Sequence, residues 1–219
     1  MVISYETPTH GESGKSELRR RAILDVAREI FLAQGFAATS MSEIAARLGG
    51  SKGTLYNYFR SKEELFAAIM IDVCEGPANA VFDHLPPIDG DLRAGLIDLG
   101  MGLMSFIISD APMAVHRVVV AESDRFPQLG RVFYETGPLR GQERIVAYFT
   151  DLMASGQLRR CDAAMAARRF KDLILSDLHS RRLWGVLEPI GREELRAHVE
   201  ESVDIFLTAF GAGSSLDVA

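Results

Sequence analysis

Apolar positions recur at steps of three and four along most of the chain, and no stretch alternates with period two or carries an Asn-Gly hairpin signal. From Glu17, the residues Ile23, Ala27, Ile30 and Phe31 mark one helical face. Gly35 stops that helix, glycine being the residue that tolerates a left-handed cap. Ser40-Met41-Ser42-Glu43 reads as a capping box that opens a short helix ending at Leu48, before Gly49-Gly50. Ser51 suits the N-cap of a third helix, Lys52 to Phe59. Ser61-Lys62-Glu63-Glu64 is a second capping box, opening a helix to about Phe82 with Leu65, Ile69 and Val73 on one face.

The remainder is helical in pattern too. Pro86-Pro87 and Gly90 break the chain. Asp91 caps a helix through Ser109, and Asp110 with Pro112 begins another that runs to about Ser123. A segment from Phe126-Pro127 is interrupted at Gly137-Pro138 and resumes to Gly156. Asp162 caps a long helix to about Trp184, and the last runs from Arg192 to Phe210. The expectation is an all-α chain of about nine helices. Residues 1–15 form a mobile tail, 16–62 a helix-turn-helix domain, and 63–219 a ligand-binding and dimerisation domain.

Composition narrows the class. The chain has 219 residues, 47% of them hydrophobic and 25% charged, within the globular range. Its two cysteines, Cys74 and Cys161, stand outside any CxxC or Cys/His cluster and read as free thiols in a reducing cytoplasm. Leu99 to Ser109, the longest uncharged apolar stretch, falls short of the roughly 20 residues of a membrane helix. The first fifteen residues lack the apolar run of a secretory signal. Secreted, membrane, collagen-like and wholly disordered classes are set aside, and no metal or cofactor is implied.

Charge is uneven. Residues 1–62 carry nine Lys/Arg and six Asp/Glu, net +3, whereas the rest carries net -9 of the total -6. A basic head on an acidic body fits a polyanion partner for the head alone, although such asymmetry also arises by chance.

The stretch Ser42 to Phe59 concentrates the chemistry. Two short helices joined by a glycine-containing turn form the helix-turn-helix layout. Ala45 is small where the helices cross, Gly49 supplies a positive φ, and Ile44, Leu48 and Leu55 provide apolar contacts. A plain helical hairpin has the same spacing. The third helix adds Lys52, Thr54, Tyr56, Asn57 and Tyr58, polar or amphipathic groups on a rod too short to stand alone. Ser51 and Lys52 suit a phosphate. Thr54 suits a thymine methyl or a phosphate, Tyr56 a phosphate, and Asn57 an adenine edge. Arg19, Arg20, Arg21, Thr39, Ser40 and Lys62 flank the rod as backbone contacts, or, for the arginines, as a solvated helix start.

The run from Thr39 to Leu65, TSMSEIAARLGGSKGTLYNYFRSKEEL, resembles the DNA-binding domain of TetR-family transcriptional regulators, with Phe31, Gly35 and Phe36 also in place upstream. Gly50 departs from the small apolar residue, such as Val, usual there. The resemblance implies an all-helical dimer that represses transcription and releases DNA when a small molecule binds its C-terminal domain. It places Ser51, Lys52, Thr54, Tyr56 and Tyr58, with Thr39 and Lys62 at neighbouring helix starts, at positions that commonly meet DNA; together with Ser40, Gly53 and Asn57 these are the expected DNA-contact residues. Arg117 to Leu129, with Phe133-Tyr134-Glu135, is similar to the AefR-like C-terminal domain of some members.

For an effector pocket the body offers Met101, Met104, Phe106, Ile107, Met113, His116, Phe133, Tyr134 and Trp184, each equally explicable as core packing. Leu195, Val199, Val203, Phe206 and Phe210 form a stripe on the last helix. It is either intramolecular core or a homodimer surface shared with the preceding long helix. One short recognition helix offers little contact area, which favours a homodimer on double-stranded DNA with half-sites about one turn, roughly 34 Å, apart. No phosphate loop, GxSxG or HExxH supports an enzyme. A helical protein-binding adaptor is the remaining rival. The helix from Lys62 to about Phe82 is the natural lever between head and body.

Overall fold

The computed structural model describes residues 10–213, with the side chains of 10–13 and 74–77 outside that description. The side chain of Cys74 and residues 1–9 of the expected tail therefore lie outside the described residues.

Eleven helices follow one another among the described residues: α1 (His10–Ala38), α2 (Met41–Arg47), α3 (Lys52–Tyr58), α4 (Lys62–Asp83), α5 (Leu92–Ile107), α6 (Asp110–Glu122), α7 (Pro127–Thr136), α8 (Pro138–Ala154), α9 (Ala163–Leu175), α10 (Leu178–Trp184) and α11 (Arg192–Phe210). Among the described residues there is no strand, only an isolated bridge between Leu158 and Gly211. The all-α expectation holds. The interruption expected at Gly137-Pro138 separates α7 from α8, because proline lacks the N–H that would continue the first helix. One expected helix is divided: Ser176 and Asp177 leave helical geometry between α9 and α10, Asp177 at φ 55°. α1 begins at His10, so the last part of the expected tail is helical.

The starts are chemically explicit. Ser40, Ser51, Asp91 and Asp162 accept the backbone N–H of Glu43, Thr54, Ala94 and Ala164 respectively. Ser61 accepts the Glu64 N–H while the Glu64 carboxylate accepts the Arg60 N–H at 2.7 Å, a capping box shifted by one residue. Asp110, expected as a cap, is instead the first residue of α6 and pairs with Arg182.

The chain divides into two compact units, 1–70 with 118–130, and 71–117 with 131–219. The division differs from a cut at Lys62, since the first part of α4 and the segment from Val118 to Gly130 pack with the head. In the head unit, Phe31, Phe36, Phe66 and Phe126 form a cluster with ring centres 5.0–5.5 Å apart. Ile23, Leu24, Ala27 and Ile30 of α1, Ile44 and Ala45 of α2, and Leu55 of α3 are buried there. α4 has the length and apolar character of a membrane span, yet Leu65, Phe66, Ile69, Met70 and Val73 are buried in the protein.

The body unit is built on α5, α8, α9 and α11, with Phe149, Phe170, Phe206 and Phe210 at its centre. At Gly100 these helices approach closely: a Cβ there would lie 2.7 Å from Val199 and 2.9 Å from Ile174. The stripe Leu195, Val199, Val203, Phe206 and Phe210 is buried within this core. Its apolar area is thus taken up inside one chain, so of the two readings left open the stripe is intramolecular core.

Candidate nucleic-acid interface

The α2–α3 turn depends on one glycine conformation. Gly49 has φ 62°, the left-handed geometry expected of it, and a Cβ there would meet nothing within 4 Å. Its N–H and that of Gly50 donate to the carbonyls of Ala46 and Ala45 at the end of α2. α3 is held from one side only. Leu55 and the following Phe59 are buried, at 2% and 3% exposure, while Lys52, Gly53, Thr54, Tyr56 and Asn57 are exposed. A seven-residue helix is thereby anchored by two apolar residues one turn apart and presents its polar flank outward. Ser51 is exposed but engaged, its hydroxyl capping the Thr54 N–H and lying 3.0 Å from Thr54 Oγ1. Tyr58 is half-buried, its hydroxyl 3.5 Å from Ser16 Oγ. Ser40 is exposed at the start of α2.

Two expected contact residues are committed elsewhere. Thr39 is buried, at 2% exposure; its hydroxyl donates to the Gly35 carbonyl at 2.8 Å and lies 3.3 Å from Gln34 Nε2. Lys62 turns its ammonium inward. It donates to the carbonyls of Phe36 at 2.7 Å, Thr39 at 3.0 Å and Ala37 at 3.4 Å, and lies 4.3 Å from the centre of the Phe36 ring. Both secure the corner between α1 and α2: a cation near the last carbonyls of a helix satisfies acceptors that have no intrahelical donor. Motif position alone cannot distinguish such inward roles from contact with DNA.

A third anchor of this corner has no counterpart among the residues expected from the sequence. Glu122, at the end of α6, accepts the Ala37 N–H at 2.9 Å. Gly35 breaks α1 at φ 84°, ψ 169°, and a Cβ on it would lie 3.1 Å from the same Glu122 oxygen. The bond spans 85 residues of sequence and has no local signal.

The expected effector residues differ widely in exposure. Met104 and Met113 are fully buried, Met101, Phe106, His116 and Phe133 half-buried, and Tyr134 and Trp184 exposed at 55% and 72%. Exposure removes Tyr134 and Trp184 as linings of an enclosed pocket. His116 stacks between Phe133, ring centres 5.1 Å apart, and His179, at 5.3 Å. Burial holds both histidines below their ordinary pKa, reinforced at His116 by His179 and at His179 by Lys171. A separate open cleft of about 280 Å³ borders Val81, His84, Leu85, Asp98, Leu99 and Gly102, and includes none of the expected effector residues.

Comparison with known proteins accords with this geometry. The profile described as bacterial regulatory proteins, tetR family, matches residues 23–69, and that of the AefR-like transcriptional repressor C-terminal domain matches 94–212. The transcriptional regulator UidR of Escherichia coli K12 is 29% identical over 178 residues, 80% of this chain and 83% of its own. The solved structure of the flavonoid-responsive regulator FrrA superposes with a TM-score of 0.81 at 31% identity, covering 90% of this chain and 100% of that one. A regulator from Mesorhizobium loti superposes at 0.79 with 28% identity, covering 90% and 98%. These relatives are regulators rather than enzymes.

Proposed function

We propose that this chain, which belongs to the TetR family of bacterial transcriptional regulators and has an AefR-like C-terminal domain, represses transcription from a near-palindromic operator and releases it when a small molecule binds the body. The observation that carries the DNA-binding half is α3, with Leu55 and Phe59 buried and Lys52, Thr54, Tyr56 and Asn57 exposed along one short rod. A rod of that shape enters a major groove, where Asn57 reads an adenine edge and Tyr56 and Lys52 hold phosphates. Two copies bind together in the cytoplasm, their α3 helices about one turn of DNA apart. Their mutual surface comes from residues outside the buried Leu195–Phe210 stripe.

Release follows from differential affinity: an effector that prefers the arrangement less suited to DNA shifts the population toward it. α4 and α6 are the routes, each running from one compact unit into the other. Met104, Met113, the His116–Phe133 pair and the cleft beside Gly102 are the places an effector has to reach. The flavonoid response of FrrA makes planar aromatic compounds the first class to screen.

Titrating the full-length chain against duplex DNA flanking its own gene tests this reading. Saturable binding that weakens steeply with salt, and is relieved by an aromatic compound that also raises the melting temperature, supports it. No binding at any salt contradicts its DNA half; binding that no effector relieves contradicts its release half.

A further inference from the structure

Gly50 and Arg19 form a pair that the family pattern does not explain. Unlike Gly49, Gly50 is not among the positive-φ residues, so its backbone does not call for glycine. What the missing side chain admits is Arg19: a Cβ built on Gly50 would lie 2.8 Å from an Arg19 guanidinium nitrogen. Arg19 borders a small niche together with Gly50, the exposed Ser51 and Thr54, and the buried Ile23 and Leu55. The other arginines of α1 and α2 face acids, Arg20 toward Glu17, Arg21 and Arg28 toward Asp25, and Arg47 toward Glu29. Arg19 has no ion pair or hydrogen bond among the described residues. A guanidinium without a partner among the described residues thus lies against Gly50, in a niche it shares with the exposed Ser51 and Thr54, where a Cβ at 50 would contest its place.

We propose that Arg19 contacts a DNA phosphate, and that Gly50 is the notch that seats it there. The inference rests on the DNA-binding reading above; it decides between the two readings of Arg19 that the sequence left open and adds Gly50 as its positioning partner. The guanidinium offers a planar fork of donors suited to a phosphate, and a contact of this kind adds affinity without reading a base. Gly50 acts only through Arg19; it touches no DNA itself.

The test uses the full-length chain and a duplex from the DNA flanking its own gene that the wild-type chain binds, with affinity followed against salt. Arg19→Gln weakens binding to all sequences alike and lowers the log-log salt slope by about 0.9 for each phosphate no longer neutralised. Gly50→Val, which pushes the guanidinium away, weakens binding by the same factor, and the double variant R19Q/G50V is no weaker than R19Q. Arg19→Lys restores most of the slope. Thermal unfolding of R19Q stays at the wild-type value, which separates a missing phosphate partner from a damaged fold. An unchanged salt slope in R19Q overturns the inference, as does a G50V effect that is absent or that adds to that of R19Q. If the wild-type chain binds no duplex at all, the DNA-binding reading falls first and this inference with it.

Discussion

The Lys62 ammonium donates to the Phe36 carbonyl across 2.7 Å and lies 4.3 Å from the centre of the same residue's ring. A lysine that the motif places toward DNA is thereby the fastener of the α1–α2 corner. Lys62→Met removes the charge-assisted bonds and the ring interaction, and destabilises the chain by about 1–3 kcal/mol. Denaturant unfolding measures that change. The salt slope of DNA binding stays at its wild-type value, because Lys62 neutralises no phosphate; a slope reduced by about one would return Lys62 to the interface.

The same corner rests on Gly35 and Glu122. At φ 84°, ψ 169° the Gly35 backbone lies in a region that is essentially glycine-only, and a methyl group would also press on the Glu122 carboxylate. Gly35→Ala costs about 1–3 kcal/mol in equilibrium unfolding. Glu122→Ala, which leaves the Ala37 N–H without its acceptor, costs a similar amount, whereas Glu122→Gln, retaining a carbonyl oxygen, costs much less. Equal destabilisation by the alanine and glutamine variants would mean that the accepted bond is not what matters.

Phe206 tests the assignment of the α11 stripe. Its ring lies 4.7–5.4 Å from those of Phe210, Phe170 and Phe149 inside the body. Phe206→Ala removes about 3–5 kcal/mol from stability. The effect is intramolecular, so the dimer dissociation constant measured by sedimentation is unchanged. A variant that folds normally but dissociates would restore the stripe to the interface between copies.

How far the sequence spoke depends on the range of each signal. Helix starts were legible because a cap is local: Ser40, Ser51, Asp91 and Asp162 each bind a backbone N–H two or three residues ahead. The turn glycine Gly49 and the buried Leu55 were legible for the same reason. The inward bonds of Thr39 and Lys62 were not legible, since only the three-dimensional corner shows which way their side chains turn. Glu122 was invisible because its partner is 85 residues away. The α11 stripe left two solutions open, as periodicity gives an apolar face but not what covers it. Trp184 shows the limit of composition: an aromatic residue suited to a pocket is 72% exposed.

His116 and His179 set a pH dependence. Burial lowers both pKa values in the folded chain, so the unfolded chain binds protons more readily. Stability from this pair is complete above the ordinary histidine pKa and is lost as pH falls below it toward the lowered folded values. Phe133 on one side and Lys171 near His179 offer no negative charge to reverse the sign. Thermal midpoints recorded from neutral to mildly acid pH fall for the wild type, and fall less for His116→Phe, which keeps the stack. An identical pH profile in the variant would show that the acid sensitivity lies in other groups.

DNA binding through the exposed flank of α3 is the central claim, and selection of duplexes from a random pool by the full-length chain, followed by sequencing, tests it most directly. The expected result is two inverted half-sites centred about one turn apart. Asn57→Ala then relaxes preference at one base position per half-site, while Tyr56→Phe weakens binding uniformly. A pool without enrichment, or a motif unchanged in both preference and strength by the two substitutions, would contradict it.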